Sequence, residues 1–323
     1  MCAKLLVIAV LVLAAGPASA AMLCVKKSGV IVLRQACKKK EKPLDLMPFG
    51  AVGPKGDPGM QGPPGVGPLT TCPPDSVLVG TTCVDTYEAS VWQIPPSNAA
   101  LVAKVEAGTV TLADLTGGGA TELSPSSTCA PTFPVSFPAN GQWTPVSGTN
   151  PPTPGIYAVS LAGVHPTACV TWFQAEQACR LSGKRLLTNQ EWQAAVAGTP
   201  DPGPDNGTTD CNTVTAGDAV NTGARSSCRS SWGAFDMVGN LDEYAADWVP
   251  RSTFPCPGWA AFSDDFQCFA GADTATTAGP GVLVRGGDYI PGLGGGTSAG
   301  PLAVGGTDPA TNSDPLVGFR CAR

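Results

Sequence analysis

The stretch HPTACVTWFQAEQACRLSGKRLLTNQEW (His165–Trp192) carries the clearest helix signals in a sequence that otherwise has few. Trp172, Ala175, Ala178 and Cys179 recur at helical spacing and share one face, the face a helix buries. Gly183 stands where a C-terminal cap belongs, because glycine takes left-handed backbone at little cost. Thr188 and Glu191 then make a T-x-x-E capping box, which predicts a second helix running to about Ala197. Around this stretch the chain is rich in Gly, Pro, Ser and Thr and poor in charge. VLVRGGDY, VGFRCAR and CVDTYEAS read as short strands between long loops. Two helices among short strands predict an α+β fold with much irregular backbone. Long loops in a compact domain need pins, and disulfides or metal ions are the usual ones.

The cysteines supply candidates. There are thirteen in 323 residues. The chain opens MCAKLLVIAVLVLAAGPASA, with Lys4, an apolar run from Leu5 to Ala15 and a small-x-small close at Ala18-Ser19-Ala20. Residues 1–20 read as a secretory signal cut after Ala20, too short to cross a bilayer as a helix. A lipid on Cys24 is the alternative, and Leu23 is a poor residue to precede it. No other stretch has the length and hydropathy of a membrane helix, so no transmembrane segment is expected. The product is expected to be secreted, at a cell surface or in a periplasm. Loss of Cys2 with the signal leaves twelve cysteines, which in an exported chain read as six disulfides. Cys24–Cys37, Cys72–Cys83, Cys211–Cys228 and Cys256–Cys268 are plausible short-range pairs. A thiolate metal site is less well supported, with no C-x-x-C pair and one histidine.

Charge is unevenly distributed. Residues 21–48 hold seven Lys or Arg against two acids, whereas 68–323 hold ten against twenty-two. The acidic body argues against nucleic acid as a partner. The basic run CKKKEK (Cys37–Lys42) could meet an anionic cell surface, or it could be a solvated, disulfide-tied tail. From Gly50, glycine recurs at every third position through GAV GPK GDP GMQ GPP GVG, a collagen-like pattern. Residues 50–67 are therefore expected to be either a trimerising stalk, making the protein a homotrimer, or an extended linker. They part a small basic module, 21–49, from a large domain, 69–323.

Within that domain several phrases coincide. HPTACVTWFQAEQACRLSGKRLLTNQEW resembles the helix-pair signature of the formylglycine-generating enzyme family, the sulfatase-modifying factor domains. WGAFDMVGNLDEYAADW looks like that family's metal-holding segment. VLVRGGDY and VGFRCAR match its closing strands, and CVDTYEAS its opening strand. The motifs stand in family order across about 80–323. The resemblance implies a loop-rich variant of the C-type lectin fold.

The resemblance also implies a chemistry. Asp236, Gly239, Leu241 and Glu243 match the positions that hold a structural calcium, the middle two through their carbonyls. Hard oxygens in a glycine-bent loop are what calcium takes. Cys179 and Cys321 match a family disulfide, which leaves Cys129 with Cys169. The family's oxidase uses two cysteines just after the RGG strand to bind copper(I) and convert a substrate cysteine to formylglycine. Here RGGDY runs into IPGLGGGTSAGPLAVGGTDPATNSDP, and no cysteine lies between Cys268 and Cys321. A soft metal needs thiolates, so copper is not expected and no catalytic residue is assigned. The leading expectation is a ligand-binding or structural module, and the alternative is a formylglycine-generating oxidase or another metal-dependent enzyme on the same scaffold. Some relatives with this lectin-like fold, among them variable proteins diversified by retroelements, use the loop surface between RGG and GFRC to hold a ligand. On that loop face Asp288, Tyr289, Thr297, Asp308, Asn312 and Asp314 are the candidate contacts for a glycan or protein ligand. The glycine run itself has neither the spacing nor the following helix of a phosphate cradle.

Overall fold

The computed structural model describes residues 22–44, 71–123, 129, 133–134, 136–140, 155–253, 255–269, 279–292 and 294–323. The expected signal segment and the glycine triplets lie outside these residues. The chain divides into two compact units, Met1–Val66 and Gly67–Arg323.

In the first unit, β1 (Met22–Lys26), β2 (Ile31–Arg34) and β3 (Glu41–Pro43) form one antiparallel sheet in the order β2-β1-β3. So small a sheet buries little, and the Cys24–Cys37 disulfide staples it.

The second unit contains β4 (Ser76–Val79), β5 (Thr82–Asp85), β6 (Ala89–Ile94), α1 (Ala99–Glu106), α2 (Leu112–Gly117), β7 (Thr121–Glu122), β8 (Gly155–Ser160), α3 (Trp172–Leu181), β9 (Arg185–Leu186), α4 (Asn189–Ala195), β10 (Asp242–Val249), β11 (Gln267–Cys268), β12 (Gly281–Arg285), β13 (Val304–Gly305), β14 (Val317–Phe319) and β15 (Cys321–Ala322). This is the α+β arrangement expected, with few helices, short strands and long loops. Helix α3 begins at a capping box of Thr171 and Gln174 and ends at Ser182, with Gly183 in left-handed conformation beyond it. Helix α4 begins at the Thr188–Glu191 box and stops at Ala195, two residues short of the expected end. Helices α1 and α2 were not anticipated, although Asn98 caps the first and Thr111 with Asp114 forms a capping box on the second.

Among the described residues of this unit there are three sheets, β11-β13-β12-β10-β14, β4-β5-β15-β9 and β7-β6-β8. Strand β10 lies between β12 and β14, antiparallel to the first and parallel to the second. The segments LDEY, VLVRGG and VGF, distant in sequence, are thus neighbours in one sheet. After Phe319 the chain crosses to the second sheet, where Cys321 and Ala322 pair with Leu186, Arg185 and Val84. Lys184 has a fully buried side chain and bridges Asp75 and Asp85, at 2.6 Å to each, while Arg323 reaches Asp75 at 2.9 Å.

Five disulfides staple this unit: Cys72–Cys83, Cys129–Cys169, Cys179–Cys321, Cys211–Cys228 and Cys256–Cys268. Cys179–Cys321 joins residues 142 positions apart. In the loop-entropy treatment such a closure contributes on the order of 4–5 kcal/mol.

Candidate functional site

Side chains alternate between the two faces of a strand, so neighbours on β10 serve different surroundings. Glu243 points inward. Both of its oxygens receive Arg320 Nε, at 2.8 and 2.9 Å, and Arg320 Nη2 adds a bond of 2.5 Å to Oε1. The indole of Trp192 donates to Oε2 at 2.8 Å. Arg320 also donates to the carbonyls of Asp85 and Phe235, and so joins the opening strand, the WGAFD segment and β10.

Two more carboxylates gather here. Glu88 accepts from Asn240 Nδ2 at 2.5 Å and from the Leu241 amide at 3.1 Å. Asp236 accepts from the Gly223 amide at 2.7 Å. Burial pushes the Asp236 carboxyl up to about 7. Burial, then the charges of Asp236 and Glu243, hold Glu88 well above the usual carboxylate range. The loop between Asp236 and Leu241 is tightly wound, with Asp236, Gly239 and Asn240 all at positive φ. Gly239 has no room for a side chain, because the Asn212 carbonyl lies where a Cβ would go.

These residues include the set expected to hold calcium. The donor chemistry suits a hard divalent cation: Glu88, Asp236 and Glu243 are buried carboxylates, with the charge of Arg320 acting on all three and that of Arg225 on Asp236. Among the described residues no three carboxylate, imidazole or thiolate side chains converge as a metal site on their own. A calcium here therefore needs the Gly239 and Leu241 carbonyls beside Asp236, with Glu243 sharing its oxygens with Arg320.

Asp242 faces the other way, toward the loops that follow β12. Its Oδ1 accepts from the Gly287 amide at 3.0 Å. Gly287 sits at φ +84°, hemmed in by the Gly294 carbonyl and Ala299, so the second glycine of RGG is there for close approach. Asp288 folds over the same loop, its Oδ1 accepting from the Ile290 amide at 2.6 Å and its amide donating to Gly294 O at 2.8 Å. Asp242 is held well above the usual carboxylate range by burial, then by the charges of Asp288, Asp308 and Asp314. Burial, with Asp314 adding, pushes Asp288 up to about 7. Burial and Asp314 also raise Asp308, while the Arg251 charge lowers it.

Of the six candidate contacts, the structure brings Asp288, Asp308 and Asp314 into one electrostatic group. Asn312 joins them through a 3.0 Å bond from Nδ2 to Asp308 Oδ1. Tyr289 is only 2% exposed and packs among Ala168, Cys169, Ala219 and Leu241. Burial pushes its phenol up to about 12, and it acts as a floor to the loop face. Thr297 is exposed on a short 3-10 turn beside Gly203, apart from the acids. Asp242, Glu88 and Arg320 were missed. Strand alternation in LDEY was the available signal for Asp242: with Glu243 inward, its neighbour must face the loops.

Cys268 and Cys321, which bracket the loop face, are both in disulfides. The tract between them offers amides, hydroxyls and carboxylates but no thiolate, so its residues do not fit copper(I).

The model of the sulfatase-modifying factor enzyme 1-like domain matches residues 90–323. No curated protein matches the chain. Among solved structures, Major Tropism Determinant I1 Variant is 17% identical over 79% of this chain and 54% of that one, with a TM-score of 0.42. The chain thus spans about half the length of that protein. A crystal structure of CarF is 20% identical over 50% of this chain and 68% of that one, TM-score 0.30. Treponema denticola variable protein 1 is 14% identical over 76% and 97%, TM-score 0.30.

Proposed function

Because the chain belongs to the family of sulfatase-modifying factor enzyme 1-like domains, we propose that it is an exported member that gave up the family's oxidation and uses the loop face between Arg285 and Phe319 to hold a ligand. Its α+β fold is the C-type-lectin-like variant of that family. One observation carries the reading: residues 269–320 contain no cysteine, and the cysteines on either side are consumed in disulfides. Six disulfides support an oxidising, extracytoplasmic setting. Among the described residues no helix is long and apolar enough to cross a membrane.

The loop face suits binding. Tyr289 is buried beneath it, Asp288 is held by backbone bonds, and the tract offers polar groups in two places, exposed Thr297 beside Gly203 and Asn312 on Asp308. A glycan or a protein segment is the ligand class. The structural calcium at Asp236, Gly239, Leu241 and Glu243 belongs to the same reading, as does a stalk built on the glycine triplets.

The test uses the full mature chain in two arms. On glycan and protein arrays it is expected to retain a ligand, and Thr297→Arg, which places a long cation on the loop face, is expected to abolish retention without altering thermal unfolding. Incubated with copper and a cysteine-containing sulfatase peptide, it is expected to leave the cysteine unchanged by mass spectrometry. Appearance of the aldehyde would sink the proposal.

A further inference from the structure

Two carboxylates meet at one edge of the loop face, brought there by segments far apart in sequence. Asp265 stands in the loop tied by the Cys256–Cys268 disulfide and is 1% exposed. Its Oδ2 accepts from the Leu302 amide at 2.6 Å, whereas its Oδ1 is buried with no hydrogen-bond partner. Gly300 lies against this carboxylate, with no room for a side chain of its own. Asp201 comes from the loop after α4, which packs on the same tract where Gly203 meets Thr297. Its carboxyl is within hydrogen-bonding range of the Asp265 carboxyl.

A buried oxygen without a partner is costly. Two carboxylates that face each other cannot both ionise unless something positive lies between them. Partial burial, then the charge of Asp265, push Asp201 up to about 6; the Gly203 amide opposes the rise and Asp264 adds to it. Both side-chain charges in that set are negative. Arg285 feels the charge of Asp265, but its guanidinium lies over the face of Trp192 and gives Nη2 to Gln193 Oε1 and the Pro301 carbonyl. A proton serves the pair below about pH 6, and above that a cation is needed.

We propose that Asp201 and Asp265 hold a calcium ion that clamps the loop after α4 to the disulfide-tied loop. The site is separate from Asp236 and Glu243 and does not rest on them. Calcium completes a shell of six to eight oxygens with backbone carbonyls and water, in flexible geometry. The unpartnered Oδ1 of Asp265 is the inner ligand, and Asp201 closes the site from the surface side. Two carboxylates make a weak site of the kind that extracellular modules use, with a dissociation constant of about 10⁻⁴–10⁻³ M. Magnesium is the poorer occupant, because it demands near-ideal octahedral geometry and gives up its waters reluctantly.

The experiment is terbium titration of the full mature chain at about pH 7.5, above the range in which a proton serves, followed by competition with calcium. Trp259 is the antenna: its Nε1 donates to the Leu302 carbonyl at 3.0 Å, and the Leu302 amide is the donor to Asp265. Indole-excited terbium emission is expected, with a component that calcium displaces at about 10⁻⁴–10⁻³ M. Trp259→Phe should remove that component's emission. Asp201→Asn and the isosteric Asp265→Asn should each weaken it about tenfold or more, by taking away ligand charge. Asp201 is at the surface, so unchanged unfolding of Asp201→Asn without calcium separates a lost ion from a lost fold. Asp236→Asn should leave the component in place, which keeps this site distinct from the interior one. Calcium competition that is the same in Asp201→Asn as in the parent would overturn the proposal. So would its complete loss in Asp236→Asn, which would assign all the calcium to the interior.

Discussion

Asp242 and Glu243 are consecutive residues on one strand, yet they belong to opposite worlds. Glu243 is met by Arg320 and Trp192, and its charge is answered inside the fold. Asp242 is met by one backbone amide, among Asp288, Asp308 and Asp314. The inner cluster is a joint, binding three segments through a single guanidinium. The outer one keeps unspent electrostatic potential beneath a loop face. A fold can accept the second arrangement only where the first kind supplies enough stability.

The comparison can be broken at its inner half first. Arg320→Met leaves Glu243 and its neighbours buried without their cation. Removing one partner of such a pair costs about 3–5 kcal/mol, so a fall in melting temperature on the order of 10 °C or more is expected by calorimetry. A variant as stable as the parent would mean that the inner carboxylates are already neutral, and the two clusters would then be alike.

Calcium gives the next largest effect. If Asp236 and Glu243 hold the ion, a hundredfold excess over its dissociation constant stabilises the fold by about 3 kcal/mol, and a chelator should remove that much. Identical unfolding curves with and without chelator would show that protons, not calcium, balance the inner cluster.

The outer half is tested by pH. An aspartate whose folded pKa lies above its unfolded one is still protonated in the fold when the unfolded chain has ionised. Its burial is harmless below about pH 4 and costs stability progressively as pH rises through about 7. Asp288→Asn keeps the acceptor for the Ile290 amide and removes the ionisation. It should therefore stabilise the protein by about 1–2 kcal/mol above neutrality, allowing for the coupling to Asp242, and change nothing near pH 4. Destabilisation at high pH would mean that the outer cluster too has found its counter-charge.

The helix pair was readable because caps and one apolar face are local signals, and Thr188 with Glu191 does at short range what the pattern says. The cysteines that spacing or resemblance placed together are the ones joined in the structure. Helices α1 and α2 were overlooked despite good caps, since at eight and six residues they offer little periodicity to read. The hub of the inner cluster was out of reach. Arg320 meets Glu243 across 77 positions and the Asp85 carbonyl across 235, and nothing in the terminal VGFRCAR says which acid its arginine will find. The burial of Tyr289 was out of reach for a related reason. A tyrosine next to a glycine-rich loop reads as a recognition residue, and only the packing of Ala168, Cys169 and Leu241 shows it to be buried.

The crossing of residues 317–322 between two sheets has a bearing on when this domain can be made. That one stretch gives β14 to the first sheet, Arg320 to the inner cluster and Cys321 to the bond with Cys179. Until it leaves the ribosome, neither sheet is whole and the longest disulfide loop stays open. Completion of those two sheets is thus deferred until synthesis has passed residue 321, whereas β6, β7 and β8 can pair without it.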